Sequence, residues 1–226
     1  MNRKFQLLIT GLIICGVNFI ASASDSNKVC WGIKVTGDAE FPSKWHGQYN
    51  SVKMFHNGSG FTIGGVSNIY IGKNFYFEPG VSFFYSNYKY DLVVAYLTLE
   101  NPKLTKYGLE VPTVFGYKID FSDRIGLRIF TGPQIRYAFG GKIGIKDSQF
   151  EDSQSIEETK NLLLWDTNRR FDCSWKVGVG LPIDRFMISV EADFGLTNLY
   201  KTSTLMGSSK WRYRENRVGA GLTYYF

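Results

Sequence analysis

The ten residues Arg217-Val218-Gly219-Ala220-Gly221-Leu222-Thr223-Tyr224-Tyr225-Phe226 decide how the rest of the chain is read. Val218, Ala220, Leu222, Tyr224 and Phe226 form one set, and Arg217, Gly219, Gly221, Thr223 and Tyr225 form the other. A period of two belongs to a β-strand, whose side chains alternate between its two faces. One face is apolar and ends in aromatics; the other is small or polar. The sequence stops on Phe226. A soluble sheet rarely ends on an exposed aromatic. A barrel closed in lipid turns its apolar face outward and pairs its last strand with its first. The stretch therefore points to a strand that crosses a membrane.

Seven further segments repeat the period, over residues 29–36, 60–71, 75–85, 107–119, 124–139, 171–181 and 186–196. Phe75, Phe77, Val81, Phe83 and Tyr85 alternate with Tyr76, Glu78, Gly80, Ser82 and Phe84, and Phe171, Cys173, Trp175, Val177 and Val179 with Asp172, Ser174, Lys176, Gly178 and Gly180. Short turns at 72–74, 120–123 and 182–185 separate long polar connections at 41–58, 87–106, 140–170 and 199–210. Ser155-Ile156-Glu157-Glu158 fits a capping box, though a surface loop is the plainer reading. Connections that alternate long and short, joining strands of roughly ten residues, are those of an outer-membrane barrel with short turns on the periplasmic side. The expected fold is all-β: an eight-stranded antiparallel up-and-down transmembrane β-barrel. Of 226 residues, 16% are aromatic and 24 are Gly, with only six Pro, which suits strands around a tight interior.

The first residues address the protein. Asn2-Arg3-Lys4 is basic, residues 5–20 are uncharged and largely apolar, and Ala21-Ser22-Ala23 is a small-x-small cleavage signal. This is the pattern of a cleaved signal peptide over 1–23, leaving a barrel domain over 24–226 and export to the cell outer membrane. The segment is short for a membrane helix and is interrupted by Asn18. Ile14 before Cys15 is too bulky for a lipoprotein site. Cleavage removes two bases, Arg3 and Lys4, and lowers the formal charge from +6 to +4. The remaining bases are scattered, which excludes a nucleic-acid surface. Cys30 and Cys173 have opposite parity on non-adjacent strands, so no disulfide is expected between them.

The inward set carries charges of both signs: Lys34, Glu78, Glu110, Lys118, Arg128, Arg136, Lys176, Glu191, Asp193 and Arg217. Eight strands leave room for side chains but not for an aqueous channel. Buried charges must pair. A cross-lumen network that plugs the barrel is expected, for example Arg128 and Arg136 with Glu110, Glu191 or Asp193. Aromatics at strand ends should form girdles, with Tyr117, Phe186, Tyr224 and Phe226 on the periplasmic side and Tyr85, Tyr137, Phe139 and Phe171 on the outer side.

Chemistry is sparse. The two histidines, His46 and His56, lie in the first long connection near Asp38, Ser51 and Ser59. No G-x-S-x-G or H-E-x-x-H occurs, and two histidines make an incomplete metal site. Gly178-x-Gly180 and Gly219-x-Gly221 lie inside strands and relieve crowding rather than cradle phosphate. No catalytic residue, cofactor or metal ligand is assigned.

Several strands together resemble a known family. Tyr107-Gly108-Leu109-Glu110-Val111-Pro112 resembles the Y-x-L-E-I-P strand of PorT-family outer-membrane β-barrel proteins of Bacteroidetes type. Phe75-Tyr76-Phe77-Glu78-Pro79-Gly80-Val81 is similar to that family's preceding strand, and Phe194-Gly195-Leu196-Thr197-Asn198 to its Y-G-L-x-N-I ending. Gly132-Pro133 and Gly178-Val179-Gly180 fit as well. The resemblance implies fold and location more than task; long second and third outer connections depart from it. By likeness to outer-membrane barrels at large, Leu222, Tyr224 and Phe226 would be the signal read by the barrel assembly machinery during insertion.

Three readings follow. The leading one is a non-enzymatic outer-membrane barrel with a plugged lumen, in contact with outer-membrane lipid. It would act through its outer loops in surface interaction, or in support of envelope assembly and secretion. The second is a rim hydrolase of lipid or peptide using His46 or His56. The third is a secreted soluble β-barrel binding a small apolar ligand, with the apolar set inside and the charged set outside.

Overall fold

In the computed structural model of the protein, which describes residues 29–43, 45–46, 51–52, 56–89, 93–94, 97–98, 103–122, 124–144, 168–200 and 212–226, eight antiparallel strands close into a barrel. They are β1 (Val29–Pro42), β2 (Gly58–Ile71), β3 (Phe75–Lys89), β4 (Lys103–Asp120), β5 (Gly126–Gly144), β6 (Phe171–Ile183), β7 (Phe186–Gly195) and β8 (Glu215–Tyr225). Each pairs with its neighbours in sequence, and β8 closes on β1 from Gly32↔Tyr225 to Pro42↔Glu215. Closure leaves no row of unpaired backbone groups in the barrel wall, which a hydrocarbon surrounding requires. Two small hairpins stand in the outer connections, Trp45–His46 with Ser51–Val52 and Val93–Val94 with Leu97–Thr98. The signal-peptide segment 1–23 and the capping-box segment 155–158 lie outside the described residues.

Burial alternates residue by residue along most of the wall, as in the pattern B-e-B-e-B-e-B-e-B-i-B of β8, and is broken in β2, where Val66, Ser67, Asn68 and Ile69 are all buried. Val218, Leu222 and Phe226 are exposed on the outer face together with Trp31, Ile33, Val81, Phe115, Val190 and many others, while Glu40, Glu110, Lys176, Asp193 and Arg217 are buried inside. That sense is the reverse of a soluble ligand-binding barrel, and it overturns the third reading.

The strands are longer than their apolar stretches suggest. β5 has 19 residues. At about 3.3 Å per residue it is about 63 Å long, or about 48 Å in height at a tilt near 40°, against a hydrocarbon core of about 30 Å. The wall therefore rises beyond the bilayer on the side of the long connections. This corrects the boundaries read from sequence. Phe41, Pro42 and Gly58 belong to β1 and β2, Asn87–Lys89 to β3, Lys103–Lys106 to β4 and Gly140–Gly144 to β5. The pairing continues there because backbone alternation outlasts the apolar residues that reveal it.

Turns at the other end are tight. Gly72 adopts φ 83° and Asp184 φ 55°. Glycine takes that region freely, and aspartate is among the few other residues that tolerate it. Rings gather at both rims. Phe186, Tyr224 and Phe226 sit in sequence at 5.1 and 5.5 Å, with Phe75 against Tyr117 at 5.0 Å, near the short turns. Phe83, Tyr107 and Phe139 form a triangle of 5.7 to 6.5 Å near the long connections, beside Phe61 on Tyr85 at 5.6 Å.

Candidate functional site

The closed wall brings inward side chains from all eight strands to one axis, where they form two storeys. The outer storey is ionic. Arg217 of β8 is 1% exposed; its Nε meets Asp193 Oδ2 at 3.1 Å, its Nη1 meets Asp172 Oδ2 at 3.3 Å, and its Nη2 donates to Ser174 Oγ at 3.0 Å. Lys176 lies between Glu191 Oε1 at 3.2 Å and Asp193 Oδ1 at 3.7 Å. Lys34 of β1 meets the other oxygen of Glu191 at 2.7 Å, and Gln134 donates to Asp193 at 3.2 Å. Arg136 of β5 bonds Glu110 on β4 and reaches Glu40 at 3.5 Å and Asp38 at 3.9 Å on β1. β5 and β1 stand on opposite walls of the ring, so Arg136 spans the lumen. Ser86 donates to Glu40 Oε1 at 2.6 Å, and the Arg136 guanidinium lies 4.7 Å from the Phe84 ring centre. Lys106 and Glu215, also on opposite walls, approach to 4.0 Å.

The inner storey is built on phenols. Arg128 donates to Tyr70 at 2.9 Å and to Tyr225 at 3.1 Å, and its guanidinium stacks 5.3 Å from the Tyr76 ring centre and 5.1 Å from that of Tyr225. Tyr225 in turn donates to Glu78 at 3.0 Å. In the amide orientation that satisfies both its ends, Asn68 donates to Glu78 at 2.7 Å and accepts from Arg128. Val66, Met187, Val114 and Phe130 fill the remaining space. Cation–aromatic contact and neutral acceptors hold the arginine, and a single carboxylate, Glu78, reaches it through Tyr225 and Asn68.

The expected pairing therefore needs one correction. Arg136 does meet Glu110, but Arg128 meets none of Glu110, Glu191 or Asp193. It lies eight residues nearer the short turns on the same strand, about 26 Å along it at 3.3 Å per residue. Lys118 is likewise peripheral, bonded to Asp120 at 2.9 Å on the half-exposed periplasmic rim. Five ionic partners escaped the sequence reading: Asp38, Glu40, Lys106, Asp172 and Glu215, all buried in the lumen. Continued parity was their signal, since Lys34, Thr36, Asp38 and Glu40 occupy successive inward positions of β1, and Glu215 precedes Arg217 on β8.

The outer storey sets seven carboxylates (Asp38, Glu40, Glu110, Asp172, Glu191, Asp193 and Glu215) against five cations (Lys34, Lys106, Arg136, Lys176 and Arg217). Above it a cavity of about 20 Å³ is lined by Ser86, Tyr88, Lys106, Arg136, Asp172 and Glu215, among others, room for about one water. The rim over it is tied together by polar side chains. Asn198 Oδ1 accepts from the backbone of Tyr200 at 3.2 Å and Tyr213 at 3.1 Å, and Tyr213 donates to Asn168 at 2.8 Å. Burial pushes the Tyr213 phenol well above its ordinary pKa and keeps it a neutral donor.

Hydrolase chemistry finds little support in this geometry. Asp38, near the histidines in sequence, points into the lumen toward Arg136. His56 donates its backbone N–H to Lys89 at 2.8 Å, while the side chain of His46 lies outside the described residues. Among the described residues no cluster of three metal-ligating side chains occurs. Cys30 faces inward against Val66, Met187 and Tyr225, and Cys173 lies on β6; both are free thiols.

No curated protein matches the chain. Among solved structures it is similar to OprG of Pseudomonas aeruginosa at 9% identity and TM-score 0.47, over 88% of this chain and 96% of that one. It is similar to Neisserial surface protein A at 11% and 0.38, over 87% and 97%. The attachment invasion locus protein Ail of Yersinia pestis matches at 13% and 0.37, over 88% and 99%. The family described as outer membrane protein beta-barrel domain matches residues 19–201, most of the chain, and with the closed eight-stranded wall this places the protein in that family and in the outer membrane.

Proposed function

We propose that the protein is a non-enzymatic outer-membrane barrel, closed to solutes, whose work is done at its outer face. That work is surface interaction, or support of envelope assembly and secretion. The observation that carries this reading is the lumen: side-chain pairs such as Arg136 with Glu40 and Lys106 with Glu215 cross it from wall to wall, and the cavity above them has room for about one water. A barrel that conducts nothing must act through its surface, and the long connections that join β1 to β2, β3 to β4, β5 to β6 and β7 to β8 are the segments we assign to that work. Export through a signal peptide over 1–23 belongs to the same reading, as does insertion by the assembly machinery through Leu222, Tyr224 and Phe226.

The test is conductance. Purified barrel in a planar bilayer is expected to show no stepwise channel openings, and openings of porin size would overturn the closed-lumen reading. Replacing each long connection in turn by a short turn should leave a heat-modifiable barrel and abolish capture of its partner. The amino-terminal residue of the membrane-extracted protein is expected to be Ser24.

A further inference from the structure

The outer rim is polarised in an unusual way. Its described carboxylates, Asp38, Glu40, Asp172 and Glu215, all point into the lumen, and the exposed acids Asp120 and Asp184 lie at the periplasmic turns. Among the described residues the exposed charges of the rim are basic. Three of them share one wall. Lys89 of β3 and Lys103 of β4 are register partners on the outward face. Lys142 of β5 joins them because of a register shift at Tyr107/Gly108. Below that shift the even-numbered residues of β5, such as Arg136 and Ala138, face the lumen. Above it Gly140 lies opposite outward Tyr107 and Lys142 opposite outward Thr105. A β-bulge commonly re-aims a side chain in this way.

Like charges placed directly across two strands repel, and none of the three lysines is ion-paired with another described residue. Directly beneath them stands the outward ring triangle of Phe83, Tyr107 and Phe139. Lys103 is four residues beyond Tyr107, about 13 Å along the strand and about 10 Å higher at a tilt near 40°. That is a few Å above a headgroup layer about 5 to 8 Å deep, into which lysine stems reach down.

We propose that this wall of β3, β4 and β5 binds the phosphorylated headgroup of an outer-leaflet lipid, with Lys89, Lys103 and Lys142 on phosphate oxygens and the acyl chains against Phe83, Tyr107 and Phe139. The proposal rests on placement in the outer membrane with the long connections outward. It gives three mutually repelling cations the counter-charge that no described carboxylate supplies.

The experiment uses full-length barrel folded in neutral detergent micelles and two probes: fluorescent lipid A, which is a diphosphorylated acylated disaccharide, and the same lipid stripped of phosphate. A lysine near an anionic surface contributes roughly fivefold to binding, so three contribute on the order of 100-fold. Wild type is expected to prefer the phosphorylated probe by about that factor, with the preference shrinking in high salt. K89Q/K103Q/K142Q should bind both probes alike while keeping wild-type heat-modifiable migration, and R212Q/R214Q, also on the rim, should keep the preference. If the triple variant fails to fold, K103Q alone should lose about fivefold. No preference in wild type, or full preference in the folded triple variant, would overturn the proposal. So would full competition by inorganic phosphate, which lacks acyl chains. A conducting barrel that still selected phosphorylated lipid would sink only the closed-lumen reading; a closed barrel without selection would sink only this one.

Discussion

Replacing Arg217 by Met removes the guanidinium that joins β8 to β6 and β7 inside the wall. Three contacts vanish, to Asp193, Asp172 and Ser174. The two acids are not left in the same state. Asp193 keeps Lys176 at 3.7 Å and Gln134 at 3.2 Å. Asp172 loses the cation that pairs with it, since among the described residues its one ion pair is to Arg217. A buried charge stripped of its partner costs about 3–5 kcal/mol, and Asp172 is 7% exposed. R217M is therefore expected to lose about 3–5 kcal/mol of stability. Adding D172N removes the orphan charge and should recover more than half of the loss, leaving about 1–2 kcal/mol for unmade neutral bonds. Adding D193N instead should recover little, because it also strips Lys176 of a partner.

The assay is urea unfolding of barrel inserted into lipid vesicles, followed by tryptophan emission and by heat-modifiable gel migration. Each variant is compared with wild type at equal lipid. If R217M stays within about 1 kcal/mol of wild type, the lumen is wet enough to solvate Asp172, and the plugged interior is wrong. If D193N rescues as well as D172N, the division of labour between the two acids is wrong even if the plug is right.

Three further outcomes are expected. The Tyr76 ring covers Gly116 across the β3–β4 pair, where an added Cβ would collide with it; G116A should displace that ring from Arg128 and lower stability by about 1–3 kcal/mol in the same urea assay. Deleting Tyr225 and Phe226 removes the Phe226 N–H bond to Trp31 at 2.9 Å and the phenol that links Arg128 to Glu78; we expect the heat-modifiable form to disappear from the outer-membrane fraction. H46A/H56A should leave outer-membrane lipid and peptide turnover unchanged, and loss of a hydrolytic activity in that variant would restore the rim-enzyme reading.

Parity was legible throughout, because a strand writes its two faces into alternate residues whatever its partners are. Trp31, Ile33 and Val35 announce the outside of β1, and Lys34 the inside. The signal fades at Thr36, where the outward residues become Gly37 and Ala39, too small to stand out as apolar. Asp38 and Glu40 continue the inward set unmarked, and so the storey they complete was read as part of a loop. Height was not legible at all. Arg128 and Arg136 share a strand and a face, and nothing in sequence says that one meets phenols and the other carboxylates. That depends on the stagger between strands, which is fixed only when the barrel closes. Closure brings Glu40 level with Arg136 across four strands, and Tyr225 level with Arg128 across three. The bulge at Tyr107/Gly108 breaks even the parity rule, turning Lys142 from the lumen side to the lipid side. Face is thus a property of each strand, pairing is a property of the closed ring, and the outer wall that carries the three lysines exists only because one residue in the ladder is left over.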